Sequence, residues 1–173
     1  MAQLDLSVDP KREYERKLTT PEGAAGLVES GDLVWIPSSH LPPAILAVLA
    51  TREHELRDVT IRSIVIPNMG WFREDAAASW NLQVQMAIAP DNRQALADGL
   101  IDLQPFGMIS QHKAADIGRE EGRPIDDLLI VVSPPNERGY VCVGNACWDA
   151  VSSAHRAKRV IAEQSDAAPL SGQ

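Results

Sequence analysis

Short apolar runs rich in β-branched residues recur along this chain, each separated from the next by a segment of helical character. "LVWI" occupies 33–36, "VTIRSIVI" 59–66, "LQVQMAIA" 82–89, "LIDLQPFG" 100–107, "LLIVV" 128–132 and "RVIAE" 159–163. Several are continuous, whereas "LQVQMAIA" alternates. Continuous runs suit strands buried on both faces, as in parallel sheets sandwiched between helices. The segments between them fit that arrangement. Residues 42–56 carry Ile45, Leu46, Leu49 and Leu56 at helical spacing, and "PDNRQALADG" reads as a short helix closed by Gly99. "SQHKAADIGREEG" and "DAVSSAHRA" read as two more. Ahead of the first strand, charged residues 7–17 predict a surface helix. "TTPEGAAGLVESGD" predicts a second, starting at Thr19 or Thr20 with Pro21 in its first turn and Gly31 at its end. "YVCVG", 140–144, reads as an added short strand. The expected fold class is α/β, an open, mostly parallel sheet with helices on both faces. It fills one domain, 1–163, followed by a polar tail, 164–173.

A chain of 173 residues, 45% hydrophobic, has enough material for one such core. Its formal net charge of −8, without a long basic run, argues against a nucleic-acid footprint. Local basic residues still leave room for an anionic small molecule. The start, "MAQLDLSVDPKREYERKL", lacks the apolar stretch of a secretory signal, and no run reaches membrane-spanning length. A cytoplasmic protein with no membrane partner is expected. Cys142 and Cys147 are then reduced thiols. A metal site would need His155 as a third ligand beside "CVGNAC", and no metal is expected.

In parallel sheets ligands gather at the carboxyl ends of the strands. Three loops qualify: "PSSHLPP" at 37–43, "PNMGWF" at 67–72 and "SPPNERGY" at 133–140. In the third, prolines stop the strand, and Asn136 and Gly139 favour a tight turn. The alternative is an ordinary solvent-facing turn. Ser39 beside His40 suggests a nucleophile, but there is no G-x-S-x-G elbow, and adjacent side chains on an extended loop point apart. Ser38 is equally suited to capping the next helix. His54, His112 and most glutamates read as solvated surface. Glu137 projects from the third loop, and Glu163 lies at the carboxyl end of the last strand. Motifs alone identify no enzyme.

Longer segments resemble the acetyl-CoA hydrolase/transferase family, which includes the 4-hydroxybutyrate CoA-transferases. "KLTTPEGAAGLVESGDLVWI" is similar to its opening, and "ELRDVTI", "NRQALADGLIDLQPF", "IDDLLIVVSPPNERGYVCVG" and "AKRVIAE" resemble successive family segments in order. The resemblance runs from about residue 13 to 163 and covers only the amino-terminal half of the family's usual length. It implies an acyl-CoA thioester, and so coenzyme A, as substrate. The Ser-Pro-Pro loop would lie near a cleft between two α/β halves. It also implies a nucleophilic glutamate in the other half, carried by a second CoA-transferase-like subunit, so no nucleophile transfers to this chain. Hydrolysis or lysis on the same fold, a non-catalytic scaffolding subunit, and a truncated longer enzyme remain alternatives.

Two departures reshape the implied site. Relatives fill the first loop with small residues, where this chain has Ser38, Ser39 and His40; where they place an Asp-Tyr pair, it has Trp148-Asp149. Trp71 and Phe72 add bulk after the second strand. An altered, ring-accepting acyl pocket and plain core packing both explain the aromatics. The expected substrate-binding residues are Ser38, Ser39, Asn68, Met69, Trp71, Ser133, Asn136, Glu137 and Tyr140, with His40 as candidate acid–base catalyst or, alternatively, a solvent-facing helix-entry residue.

Overall fold

The computed structural model describes residues 9–37, 40–86, 89–104, 123–144 and 149–168. In chain order the described elements are α1 (Pro10–Lys17), α2 (Pro21–Ala25), β1 (Leu33–Ile36), α3 (Pro43–Thr51), β2 (Val59–Ser63) and β3 (Trp80–Val84). Then come α4 (Pro90–Ala97), β4 (Asp102–Leu103), β5 (Asp127–Val132), α5 (Ala150–Ala154) and β6 (Arg159–Gln164). The strands form one parallel sheet in the order β4-β3-β2-β1-β5-β6. The order reverses at β1. A right-handed crossover places its helix on one face when the sheet grows in one direction and on the other face when it grows back. Accordingly α3 and α4 pack on one face and α5 on the other. Ile45, Leu46 and Leu49 of α3 and Ala95 of α4 bury against Val34, Ile36, Ile61, Leu82 and Leu129. On the opposite face Leu33, Trp35, Leu128, Ile130 and Val132 form a smaller core that Ala154 helps to cover. Trp35 Nε1 donates to Asp149 Oδ2 at 2.9 Å, so the indole is satisfied where α5 begins.

The expected α/β architecture is present, with four local differences. The helix after Thr20 is only five residues long: Gly23 within it weakens its helical propensity, and Gly26 stands at its C-cap. Thr20 caps it through its hydroxyl, which accepts from Gly23 N at 3.2 Å. The third strand starts at Trp80, two residues early, because that indole joins the main core against Trp71, ring centroids 5.3 Å apart. Strand β2 ends at Ser63, although Ile64 and Ile66 stay buried. Residues 140–144 are not a strand. The expected helix at 110–122 lies outside the described residues.

A charged clasp closes the amino edge of the sheet. Asp127 is fully buried, and Arg159 grips it with a fork: Nε to Oδ1 at 2.7 Å and Nη2 to Oδ2 at 3.1 Å. The same Nη2 reaches Asp32 at 2.8 Å. Beside them Asp126 accepts from Leu33 N at 2.8 Å and from Lys158 Nζ at 2.5 Å. Burial pushes the Asp127 carboxyl up to about 6; Asp32 adds to the rise and Arg159 opposes it. For Asp126 burial works upward too, but the Lys158 ammonium, the Leu33 N–H and Arg123 outweigh it and hold its pKa below the ordinary value.

The two aspartates therefore act in different pH windows. A carboxyl raised from about 4 to about 6 binds its proton more tightly when folded, so its contribution is full below about pH 4 and is lost as pH rises through 6. Asp126 has the opposite sign, and loses its contribution only as pH falls below the ordinary carboxylate range. Urea midpoints measured between pH 4.5 and 7 are expected to fall by the equivalent of roughly 2 kcal/mol. Asp127→Asn, which cannot titrate, should flatten that slope; an unchanged slope in the variant would place the effect elsewhere.

Candidate functional site

Strand β1 ends before β5 does. Pro37 stops it, whereas β5 continues to Val132 with only Val34 and Trp35 paired to it from β1. His40 takes the vacated position. Its Nδ1 lies 3.2 Å from Val131 N and 3.1 Å from Val131 O, two contacts that alternate with the imidazole tautomer. The ring is 2% exposed, which overturns the solvent-facing reading. Across the β5–β6 pair Val131 is in register with Glu163. The Glu163 carboxylate accepts from Ala44 N at 3.0 Å and Ile45 N at 3.1 Å, the opening N–H groups of α3. Pro42, at the cap position, supplies no side-chain bond of its own. The chain from His40 into α3 is thus fastened at both ends to one rung of the sheet.

The Ser-Pro-Pro loop is held just as closely. Ser133 is buried, and its backbone N donates to Cys142 O at 2.9 Å while its hydroxyl accepts from Cys142 N at 2.9 Å. A side-chain oxygen standing in for a carbonyl ends the ladder there, which is why 140–144 returns alongside β5 without becoming a strand. Asn136 caps the turn by accepting from Arg138 N and Tyr140 N, both at 3.0 Å. Gly139 has φ +77°, and a Cβ there would lie 2.2 Å from Pro10 Cβ. The turn is therefore a seat for α1, which buries none of its own residues. Tyr14 completes the attachment, its hydroxyl donating to Gln164 Oε1 at 2.5 Å.

Between these parts lies a cleft of about 540 Å³. Its floor is Ala24, Ile45, Val132, Ser133 and Ile161, all buried; its rim includes Leu18, Leu27, Val141 and Val160, all exposed. Tyr14, Lys17, Thr19, Thr20, Glu163 and Gln164 supply the polar lining.

The three expected loops do emerge together, at the carboxyl ends of the neighbouring strands β2, β1 and β5. The cleft uses them unequally. Ser133 lines it. None of residues 67–72 does: Trp71 is 1% exposed inside the main core and Met69 packs on that core, which favours the packing explanation of the aromatics. Asn68 is exposed and its side chain accepts from Gly70 N at 3.0 Å. Asn136, Glu137 and Tyr140 are exposed on the turn outside the lining. Ser38, Ser39, Cys147 and Trp148 lie outside the described residues. Sequence reasoning missed the α1–α2 wall; α1 has no apolar stripe to mark it, only Tyr14 among charges.

The chain is a doubly wound parallel α/β domain with a cleft at its carboxyl edge, the place where such sheets gather ligands. Its family follows from the whole chain: the protein belongs to the acetyl-CoA hydrolase/transferase N-terminal domain family, whose model matches residues 1–171. Over 160 residues it is 29% identical to succinyl-CoA:cyclohexane-1-carboxylate CoA transferase of Geobacter metallireducens, covering 92% of this chain and 36% of that protein. RipA from Yersinia pestis superposes with a TM-score of 0.75 at 25% identity, over 94% of this chain and 39% of that one. A variant of the decarboxylase AibA/AibB shares the fold, with a TM-score of 0.55 at 17% identity, over 89% of this chain and 76% of that one. The chain thus spans little more than a third of the curated relative. Among the described residues no helix is long and apolar enough to cross a membrane.

Gly139→Ala tests the seating of α1. The left-handed backbone costs a side chain about 1–2 kcal/mol, and the contact with Pro10 adds to it. Faster amide exchange in α1, with β1 and β5 still protected, is the expected result; uniform acceleration through the sheet would show that α1 is not a separate unit.

Proposed function

We propose that this chain is one subunit of a heteromeric CoA-transferase-like enzyme acting on an acyl-CoA thioester, with the nucleophilic glutamate in the partner subunit. One observation carries the reading. Two ionisable side chains at the carboxyl edge near the cleft, His40 and Glu163, are already engaged by backbone. His40 is held at Val131, and Glu163 faces two helix N–H groups. Those N–H groups hold the Glu163 carboxylate in place as a helix cap, a structural use that competes with one as nucleophile. The chain therefore offers a shaped cleft, while the carboxylate that attacks the thioester carbonyl and displaces CoA comes from outside it. Exposed Leu18, Leu27, Tyr140, Val141 and Val160 lie on or beside this edge, where a second subunit would cover them.

A lyase or hydrolase subunit is the second reading, favoured by the likeness to a decarboxylase chain of which this one covers 76%. On either reading Ser38 and Ser39 are the proposed donors to the acyl oxygen, and Asn68, Asn136, Glu137 and Tyr140 the proposed outer contacts of the acyl-CoA.

Expression with and without a neighbouring CoA-transferase-like reading frame is the decisive experiment. The complex should turn over acyl-CoA thioesters and the chain alone should not; turnover by the chain alone would refute the proposal. Within the complex, a proton-transfer role for His40 predicts that His40→Ala lowers turnover by about 10²-fold or more without loss of assembly. His40→Asn keeps a hydrogen-bonding group near Val131. Activity retained in that variant would make His40 an anchor only.

A further inference from the structure

We propose that the cleft between α1, α2 and β6 takes an uncharged apolar group, of ring or short-chain size, and rejects one that carries a second carboxylate. This deepens the reading above by naming the acyl class, and it rests on that reading only for the link to a thioester. The cleft's volume, about 540 Å³, falls in the range of small-molecule sites. Its buried floor is Ala24, Ile45, Val132 and Ile161, with Ser133, whose hydroxyl is already committed to the Pro134 carbonyl and the Cys142 N–H. A ligand's inner end thus meets carbon, and its transfer from water supplies the binding energy.

Charge decides what is kept out. The Glu163 carboxylate lines the cleft and is fixed there by Ala44 N and Ile45 N. It already occupies the N-terminus of α3, the local feature that would attract an anion. The lining cation, Lys17, stands on the exposed side and is paired with Glu13 at 2.9 Å. A carboxylate carried to the floor would lose water, gain no donor and face a like charge at short range. A polar head left at the rim meets Thr19, Thr20 and Lys17, which are exposed. The cleft therefore sorts by its inner end: apolar tail in, polar head out.

The test is direct binding, independent of turnover. Benzoate, hexanoate and succinate are titrated at pH 7 into the ¹⁵N-labelled full chain. Benzoate and hexanoate should shift Ala24, Leu27, Ile45 and Val141 saturably, and succinate should bind at least about tenfold more weakly. Leu27→Glu, on the exposed rim, should weaken benzoate by a similar factor, and Glu163→Gln should narrow the gap between benzoate and succinate. Equal succinate binding, shifts mapping outside the cleft, or no saturable shift at 50 mM, about the weakest affinity such a site would show, would overturn the proposal. So would cleft shifts that follow protein concentration, since a second copy of the chain would then fill it. If the probes bind but no complex turns over thioesters, the enzyme reading fails and the site stands. If the complex turns over and prefers a succinyl thioester, the site assignment fails and the enzyme reading stands.

Discussion

The carboxyl edge is organised by a mismatch in strand length. Strand β5 outruns β1, and the backbone N–H and C=O of Val131 are left facing the gap beyond Pro37. Buried backbone groups need partners. His40 meets that need with an imidazole, and one residue pair further on Ser133 meets a similar need with a hydroxyl and the returning strand-like segment at Cys142. At this edge the ladder is completed by side chains rather than by more strand.

The same rung fixes the helix that follows. With Val131 and Glu163 side by side, His40 and the first N–H groups of α3 are drawn to neighbouring points on the sheet. Three distant stretches of sequence meet within two residues of strand. The amino edge is different in kind: it is closed by charge, through Arg159 between Asp127 and Asp32. One end of the sheet is sealed and the other is shaped.

Much of this was legible beforehand, for a physical reason. Continuous runs such as Leu128–Val132 have no polar face to offer water, so they specify a strand buried on both sides, and with it the helices that cover them. The resemblance to the family rested on the same segments and holds across residues 1–171. Side-chain destinations were less legible. Trp71 read as pocket or core, because an aromatic residue after a strand satisfies either; its burial in the main core beside Trp80 separates them. His40 read as a candidate catalyst or as surface, and not as an anchor, because its partner, Val131, lies 91 residues away and is a backbone group that no side-chain pattern marks. The α1 wall was invisible because its attachment needs one glycine, one proline and one tyrosine–glutamine bond, none of which has periodicity.

The strand order also bears on how the molecule comes to exist. Strands β1 to β4 are laid down by successive neighbours, each closing on the last through a short crossover. The central strand β1 then waits, one flank bare, for β5; the bond from Leu33 N to Asp126 spans 93 residues, and that from Arg159 to Asp32 spans 127. Long closures of this kind are slow, since chain entropy is lost before the contact returns anything. On a ribosome the first four strands would be outside and complete while the sheet's own middle stayed open, and its most apolar strand would spend that interval exposed to whatever else could pair with it.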